Sequence, residues 1–183
     1  MTLRIVFSHG LEGKQWGSKI KAMGEHVKQL GELHSLNYEG IKSPDERTQR
    51  LIEFIKTLPG DIVLVGSSMG GYVSVIASNN PNVKGLMLLA PALYLNGYQV
   101  LEPSTPCSNV VVIHGWNDDV VPYQNSIKFA HEHKIPLKLL NDGHRLANSQ
   151  TVLNAELELL VNDVIKRSRS AENDKPVGVE GSR

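Results

Sequence analysis

An α/β fold, with about six mainly parallel strands and helices on both faces of the sheet, is the architecture this sequence predicts. Three observations carry the prediction. Short apolar runs alternate with longer amphipathic stretches along the whole chain, the pattern of repeated strand–helix units. Hydrophobic residues make up 40% of 183 residues, enough for one two-faced core but not for a second domain. Residues able to do chemistry follow several apolar runs directly, at the strand ends where open α/β sheets place their sites.

The first strand, residues 3–8, is the run Leu3-Arg4-Ile5-Val6-Phe7. It ends in Ser8-His9-Gly10-Leu11-Glu12-Gly13, a loop of the H-G-x-x-G kind that offers backbone donors. A helix over 16–30 and a short strand over 33–37 come next. The helix over 44–58 opens with Ser43 as a cap, Pro44 at the first helical position, and Asp45 and Glu46 in the first turn. The third strand, 61–66, runs into Gly66-Ser67-Ser68-Met69-Gly70-Gly71 and a helix over 69–79. A strand over 85–90 is joined to one over 109–114 by a connection containing only Tyr94–Ser108 between the apolar cores of the two runs. That fifth strand ends in His114-Gly115-Trp116-Asn117-Asp118-Asp119, followed by a helix over 122–133. The last strand, 136–140, ends in Asn141-Asp142-Gly143-His144, and a final helix spans 148–166. Beyond residue 166 apolar content collapses, so residues 1–166 read as one domain and 167–183 as a disordered tail. No internal repeat is visible.

Lysine plus arginine and aspartate plus glutamate number 19 each, a balance that argues against nucleic acid or an anionic membrane surface as partner. Cys107 is the only cysteine, so neither an intramolecular disulfide nor a cysteine-based zinc cluster is expected. The N-terminal residues lack the pattern of a signal peptide, and no apolar run approaches the ~20 residues of a membrane span. The expectation is a cytoplasmic protein that needs no metal and no cofactor. Its oligomeric state is not legible from the sequence.

A strand entering G-x-S-x-G and then a helix describes a nucleophile elbow, with Ser68 held on a strained turn above the sheet. A serine hydroxyl needs a neighbouring base, and His144 is the candidate. An acid must hold the imidazole in the right tautomer. Asp118 and Asp119 both lie beyond the fifth strand, while Asp142, two residues before His144, reads as a turn residue. The backbone N–H of Met69, directly after the nucleophile, is a candidate oxyanion donor.

These residues resemble those of small α/β-hydrolases, and in particular compact bacterial serine esterases whose elbow reads G-S-S-[LM]-G-G-Y. Here it continues Gly70-Gly71-Tyr72. The resemblance spans roughly Leu3 to Val161 and implies strand order 2-1-3-4-5-6, the chain order Ser, Asp, His, and a backbone donor at Leu11. Its H-G-x-x-D-x-x-V-P spacing selects Asp118 as the acid. The short Tyr94–Ser108 connection, where larger members insert a helical lid, implies little or no lid and an open, shallow site.

Trp116 and Tyr72 are possible substrate-lining residues, or core fillers. His9 and His114 are expected to bond loop backbone without transferring protons, and Glu12 to point into solvent. The function so implied is a serine hydrolase that cleaves a small or short-acyl ester or thioester through an acyl-serine intermediate. An amidase, peptidase or acyltransferase using the same triad is an alternative, as is a non-catalytic hydrolase-fold binding protein.

Overall fold

Strands and helices follow in the order β1 (Arg4–Ser8), α1 (Ser18–Val27), β2 (Glu32–Ser35), α2 (Pro44–Lys56), β3 (Ile62–Ser67), α3 (Met69–Ala77), β4 (Val83–Leu89), β5 (Val110–Gly115), α4 (Tyr123–His133), β6 (Leu137–Leu140) and α5 (Gln150–Asn173). They belong to a computed structural model that describes residues 2–173. All six strands form one sheet in the order β2-β1-β3-β4-β5-β6, with every neighbouring pair parallel. The order is the one expected, and the boundaries mostly shift by one to three residues, the usual uncertainty of element ends.

The sheet is covered on both faces, which is why its strands read as continuous apolar runs rather than as alternating ones. Val6, Leu64, Leu88 and Val112 point to one face, where Leu51 and Ile55 of α2, Tyr72 and Val73 of α3, and Phe129 of α4 pack on them. Phe7, Val65, Met87 and Ile113 point to the other, against Ile20, Met23 and Val27 of α1 and Leu153, Leu157, Val161 and Val164 of α5. On α1 and α5 those residues recur every three or four positions, one apolar stripe per helix. Each such side chain, fully buried, is worth about 1.5–3 kcal/mol relative to exposure.

Local chemistry sets several boundaries. The Ser43 hydroxyl accepts from Glu46 N–H at 3.2 Å, capping α2 where Pro44 begins it. At the other end of the chain, α5 continues to Asn173, past the expected end at residue 166. Arg167 pairs with Asp163 one turn back at 2.6 Å, and the Ser168 hydroxyl bonds Val164 O at 2.9 Å and the Asp61 carboxylate. Those contacts replace the apolar drive that the composition lacks there. Residues 174–183, the rest of the expected tail, lie outside the described residues.

Residues 90–109 join β4 to β5 without a helix or strand. The connection is tied down at separate points: Val100 N–H donates to the Tyr72 hydroxyl at 3.1 Å, Tyr94 bonds Glu132 at 2.8 Å, and Thr105 bonds Ser78 at 2.6 Å.

Candidate active site

β3 delivers Ser68 to the C-terminal edge of the sheet, and α3 begins at the next residue. Ser68 has φ 54° and ψ −121°, a conformation costly for any residue with a Cβ. Its surroundings hold it there. Ser68 N–H donates to Leu89 O at 2.9 Å, and Ser68 O accepts from Gly71 and Ala92 N–H, both at 2.9 Å. The turn is sharp enough that a Cβ on Gly70 would fall on the Ser8 carbonyl oxygen, so only glycine fits there.

The loops after β5 and β6 bring two more side chains to this point. His144 Nε2 lies 3.0 Å from Ser68 Oγ, and His144 Nδ1 lies 2.7 Å from Asp118 Oδ2. Asp118 has no exposed side-chain surface, whereas His144 keeps 17% of its own. Asp118 Oδ1 accepts from the N–H groups of Val120 and Val121, each at 2.8 Å. Burial works against ionisation of Asp118, but the Val121, His144 and Val120 donors outweigh it and hold the carboxyl below its ordinary range. Such an array can pass a proton from hydroxyl to imidazole while a fixed negative charge stabilises the imidazolium.

His114 is a second imidazole on the same carboxylate oxygen. Its Nε2 lies 2.8 Å from Asp118 Oδ2 and its Nδ1 lies 2.7 Å from Ser126 Oγ. The sequence reading foresaw only backbone bonding for His114; Val121 O, at 3.1 Å from Nε2, supplies that as well. Fully buried, the ring has its pKa lowered, chiefly by desolvation. Asp118 Oδ2 and Val121 O both face Nε2 and place the ring proton there, so Asp118 has four donors around its two oxygens.

Asp119 is exposed and Ser67 faces elsewhere, its hydroxyl accepting from Lys19 Nζ at 3.1 Å. Lys19 also donates to Arg145 O at 3.2 Å, tying α1 to both the elbow and the His144 loop. Burial is the main cause that lowers its pKa to about 8. Asp142 is buried and accepts from Ser149 Oγ at 2.7 Å and from Gly143 and Asn148 N–H at 2.8 Å, so it shapes the loop that carries His144.

The loop after β1 forms the opposite wall. Gly10 packs so close that a Cβ there would lie 3.1 Å from Ser68 Cβ and 3.7 Å from its Oγ. Leu11 follows and is 47% exposed. Met69, as the first residue of α3, has an N–H with no acceptor inside its own helix. Glu12 projects into solvent at 4.0 Å from Arg145, an exposed pair of small energetic weight. Trp116 is 49% exposed and stacks edge-on against Tyr123 at 5.0 Å. Tyr72, by contrast, is buried, with its ring against Tyr98 and its hydroxyl on Val100 N–H, so it braces the β4–β5 connection. Arg47 and Lys19 escaped the sequence reading. Both lie on helices, and most of their partners are distant in sequence. Among the described residues no group of three or more His, Cys, Asp or Glu is placed to hold a metal ion. No described helix is long and apolar enough to cross a membrane.

Four of the shifted groups bear on stability in acid. His114 and His9 are lowered by desolvation, and Asp118 and Asp142 are lowered by donors that outweigh their burial. Below the unfolded histidine value of about 6.5, and again below about 3.9 for aspartate, the unfolded chain binds protons that the folded one refuses. Stability is expected to be greatest above about pH 6.5 and to fall in two stages on acidification. Urea midpoints from about pH 7.5 down to about 2.5 test this; a flat midpoint between 7 and 5 contradicts the histidine stage.

A six-stranded parallel sheet in this order, with a serine on the turn after β3, defines the α/β-hydrolase fold. Solved structures place the chain there independently. A protein from Xanthomonas campestris pv. campestris, assigned to the alpha/beta hydrolase superfamily, superposes with TM-score 0.78 at 22% identity, covering 91% of this chain and 99% of the other. A lidless α/β serine hydrolase from Xanthomonas campestris gives 0.71 at 18% identity, covering 88% and 81%. Est1E from Butyrivibrio proteoclasticus gives 0.72 at 19% identity, covering 90% and 88%. At these identities the likeness establishes the fold. No family model matches the sequence, and no match is found among curated proteins.

Proposed function

We propose that the protein is a serine hydrolase that cleaves a small or short-acyl ester or thioester through an acyl-serine intermediate. The observation that carries this reading is the chain of contacts from Ser68 Oγ to His144 Nε2 at 3.0 Å and from His144 Nδ1 to Asp118 Oδ2 at 2.7 Å. Ser68 Oγ attacks the acyl carbon while His144 Nε2 takes its proton, and Asp118 stabilises the resulting imidazolium. The N–H groups of Met69 and Leu11 hold the oxyanion. On collapse the C–O or C–S bond breaks, and the alcohol or thiol leaves with the proton from His144. Water then attacks the acyl-serine by the same route, releasing the acid and restoring Ser68.

Substrate size follows from the walls. The β4–β5 connection carries no helix and is pinned to α3 and α4, so this segment is not poised to fold over a long acyl chain. Two open cavities of about 550 and 610 Å³ lie around Asp61, Asn80 and Arg167 and around Lys28, Gly31 and Arg169, at the N-terminal edge of the sheet and away from Ser68. Trp116, half-exposed on the loop after β5, is the side chain this reading offers to the substrate. A small acyl compound in the cytoplasm completes the reading.

Esters, thioesters and anilides of acyl groups from acetyl to decanoyl provide the test. Rates are expected to be greatest for esters or thioesters of short chains, with kcat/KM falling by at least about tenfold from butyryl to decanoyl and no activation at a lipid interface. A steep preference for long chains would sink the size argument, and a preference for anilides would move the activity to amide hydrolysis.

A further inference from the structure

We propose that Arg47 is a positioning residue for the oxyanion-binding peptide between Gly10 and Leu11, an inference that rests on the serine-hydrolase reading of the site. Arginine is almost never fully buried without a carboxylate, because the charge loses its hydration. Arg47, on the first turn of α2, is only 2% exposed. Each hydrogen bond it makes goes to a backbone carbonyl: Nε to Ile41 at 2.7 Å, Nη1 to His9 at 3.2 Å and Gly10 at 3.1 Å, and Nη2 to Leu11 at 3.4 Å. Its guanidinium also sits over the Tyr38 ring at 4.9 Å.

Three of those carbonyls belong to consecutive residues of the loop that walls Ser68. The Gly10 carbonyl is clamped hardest, since it also accepts from Gly13 N–H at 3.1 Å and from His9 Nδ1 at 2.8 Å. That bond leaves His9 Nε2 free to accept from Tyr38 N–H at 3.4 Å, so one tautomer serves both contacts. In a trans peptide the C=O and the following N–H point in opposite directions, and no cis bond is present among the described residues. Turning the Gly10 carbonyl towards Arg47 therefore turns the Leu11 N–H away from it, out of the loop whose Gly10 packs on Ser68. The cation on the carbonyl side also polarises the peptide, which strengthens that N–H as a donor to a developing oxyanion. A guanidinium is suited to this because its planar fork reaches several acceptors in fixed directions, whereas an ammonium is a point charge.

Arg47→Lys and Arg47→Gln, compared with wild type, test the assignment. The readouts are hydrolysis of p-nitrophenyl acetate, the rate of labelling by a fluorophosphonate, and thermal melting. Loss of one oxyanion donor costs about 10²–10³ in kcat elsewhere, so Arg47→Gln is expected to lower kcat about 10²-fold with KM changed less than about threefold. Labelling should slow by a similar factor, since phosphonylation also loads negative charge onto an oxygen facing the Leu11 N–H. Arg47→Lys, which keeps the charge but not the fork, should recover part of both rates. Folded variants whose kcat and labelling rate stay within about threefold of wild type would overturn the proposal. So would equal losses in Lys and Gln variants that track their melting temperatures, or failure of both to fold, because Arg47 is then a folding residue. Wild-type protein that neither labels nor turns over the acetate overturns the serine-hydrolase reading itself and this proposal with it; labelled wild type beside unaffected variants overturns only the role of Arg47.

Discussion

Ser68→Ala is expected to abolish both turnover and labelling by a fluorophosphonate, with a loss in kcat on the order of 10⁶-fold, the size seen when the nucleophile of a serine protease is removed. Labelling forms an Oγ–P bond and expels fluoride, so it requires a serine whose proton can leave. Ser68 has an imidazole nitrogen at hydrogen-bond distance and is not fully buried; Ser126, which also meets an imidazole nitrogen, is fully buried with His114, and the neighbouring Ser67 hydroxyl instead accepts from the Lys19 ammonium, which cannot act as its base while protonated. The wild-type protein should thus carry one label, mapped to Ser68 by peptide mass. Relieving a φ of 54° is not the source of the effect, since alanine keeps the Cβ, and the melting temperature should move little. Continued labelling of the alanine variant, or a label on Ser67, would remove the elbow from the proposed chemistry.

The elbow was legible because its geometry is local. A strand, two small residues around a serine and a helix follow one another without a gap, and the close approach at Gly70 reads directly from the letters. Strand order was legible only with the resemblance to small α/β-hydrolases beside it: right-handed crossovers leave few ways to stack short strands separated by helices, and the resemblance selects among them. Arg47 was not legible, because an arginine in the first turn of an amphipathic helix looks like a solvated charge until the loop carrying Gly10 folds over it. His114 reads as the end of a strand, and nothing in its immediate neighbours reveals that it shares an oxygen with a histidine in a later loop. The end of α5 escaped for a different reason. Composition registers the loss of apolar residues after Lys166 but not the Arg167–Asp163 and Ser168–Asp61 contacts that let the helix continue.

Asp118→Asn should cost up to about 10⁴-fold in kcat, by analogy with the corresponding change in serine proteases, while Asp119→Asn should be mild. The argument lies in the donors around the carboxylate. Asp118 oxygens accept from Val120 N–H, Val121 N–H, His114 Nε2 and His144 Nδ1. An amide offers only one acceptor oxygen and brings two N–H donors of its own. The backbone pair cannot change character, so the amide oxygen should remain on Val120 and Val121 and the NH₂ should turn to the imidazoles. His144 then meets a donor at Nδ1 and must place its proton on Nε2, the atom that has to accept from Ser68. The base is thereby disabled without any change in fold. Asp119, adjacent but exposed, faces none of these groups. Steady-state kinetics of both variants, with circular dichroism to verify folding, decide the matter. A large loss for Asp119→Asn beside near-normal Asp118→Asn would shift the acid by one residue. Mild effects at both would show that His144 keeps its working tautomer without this carboxylate, and would reduce the proposed triad to a dyad of Ser68 and His144.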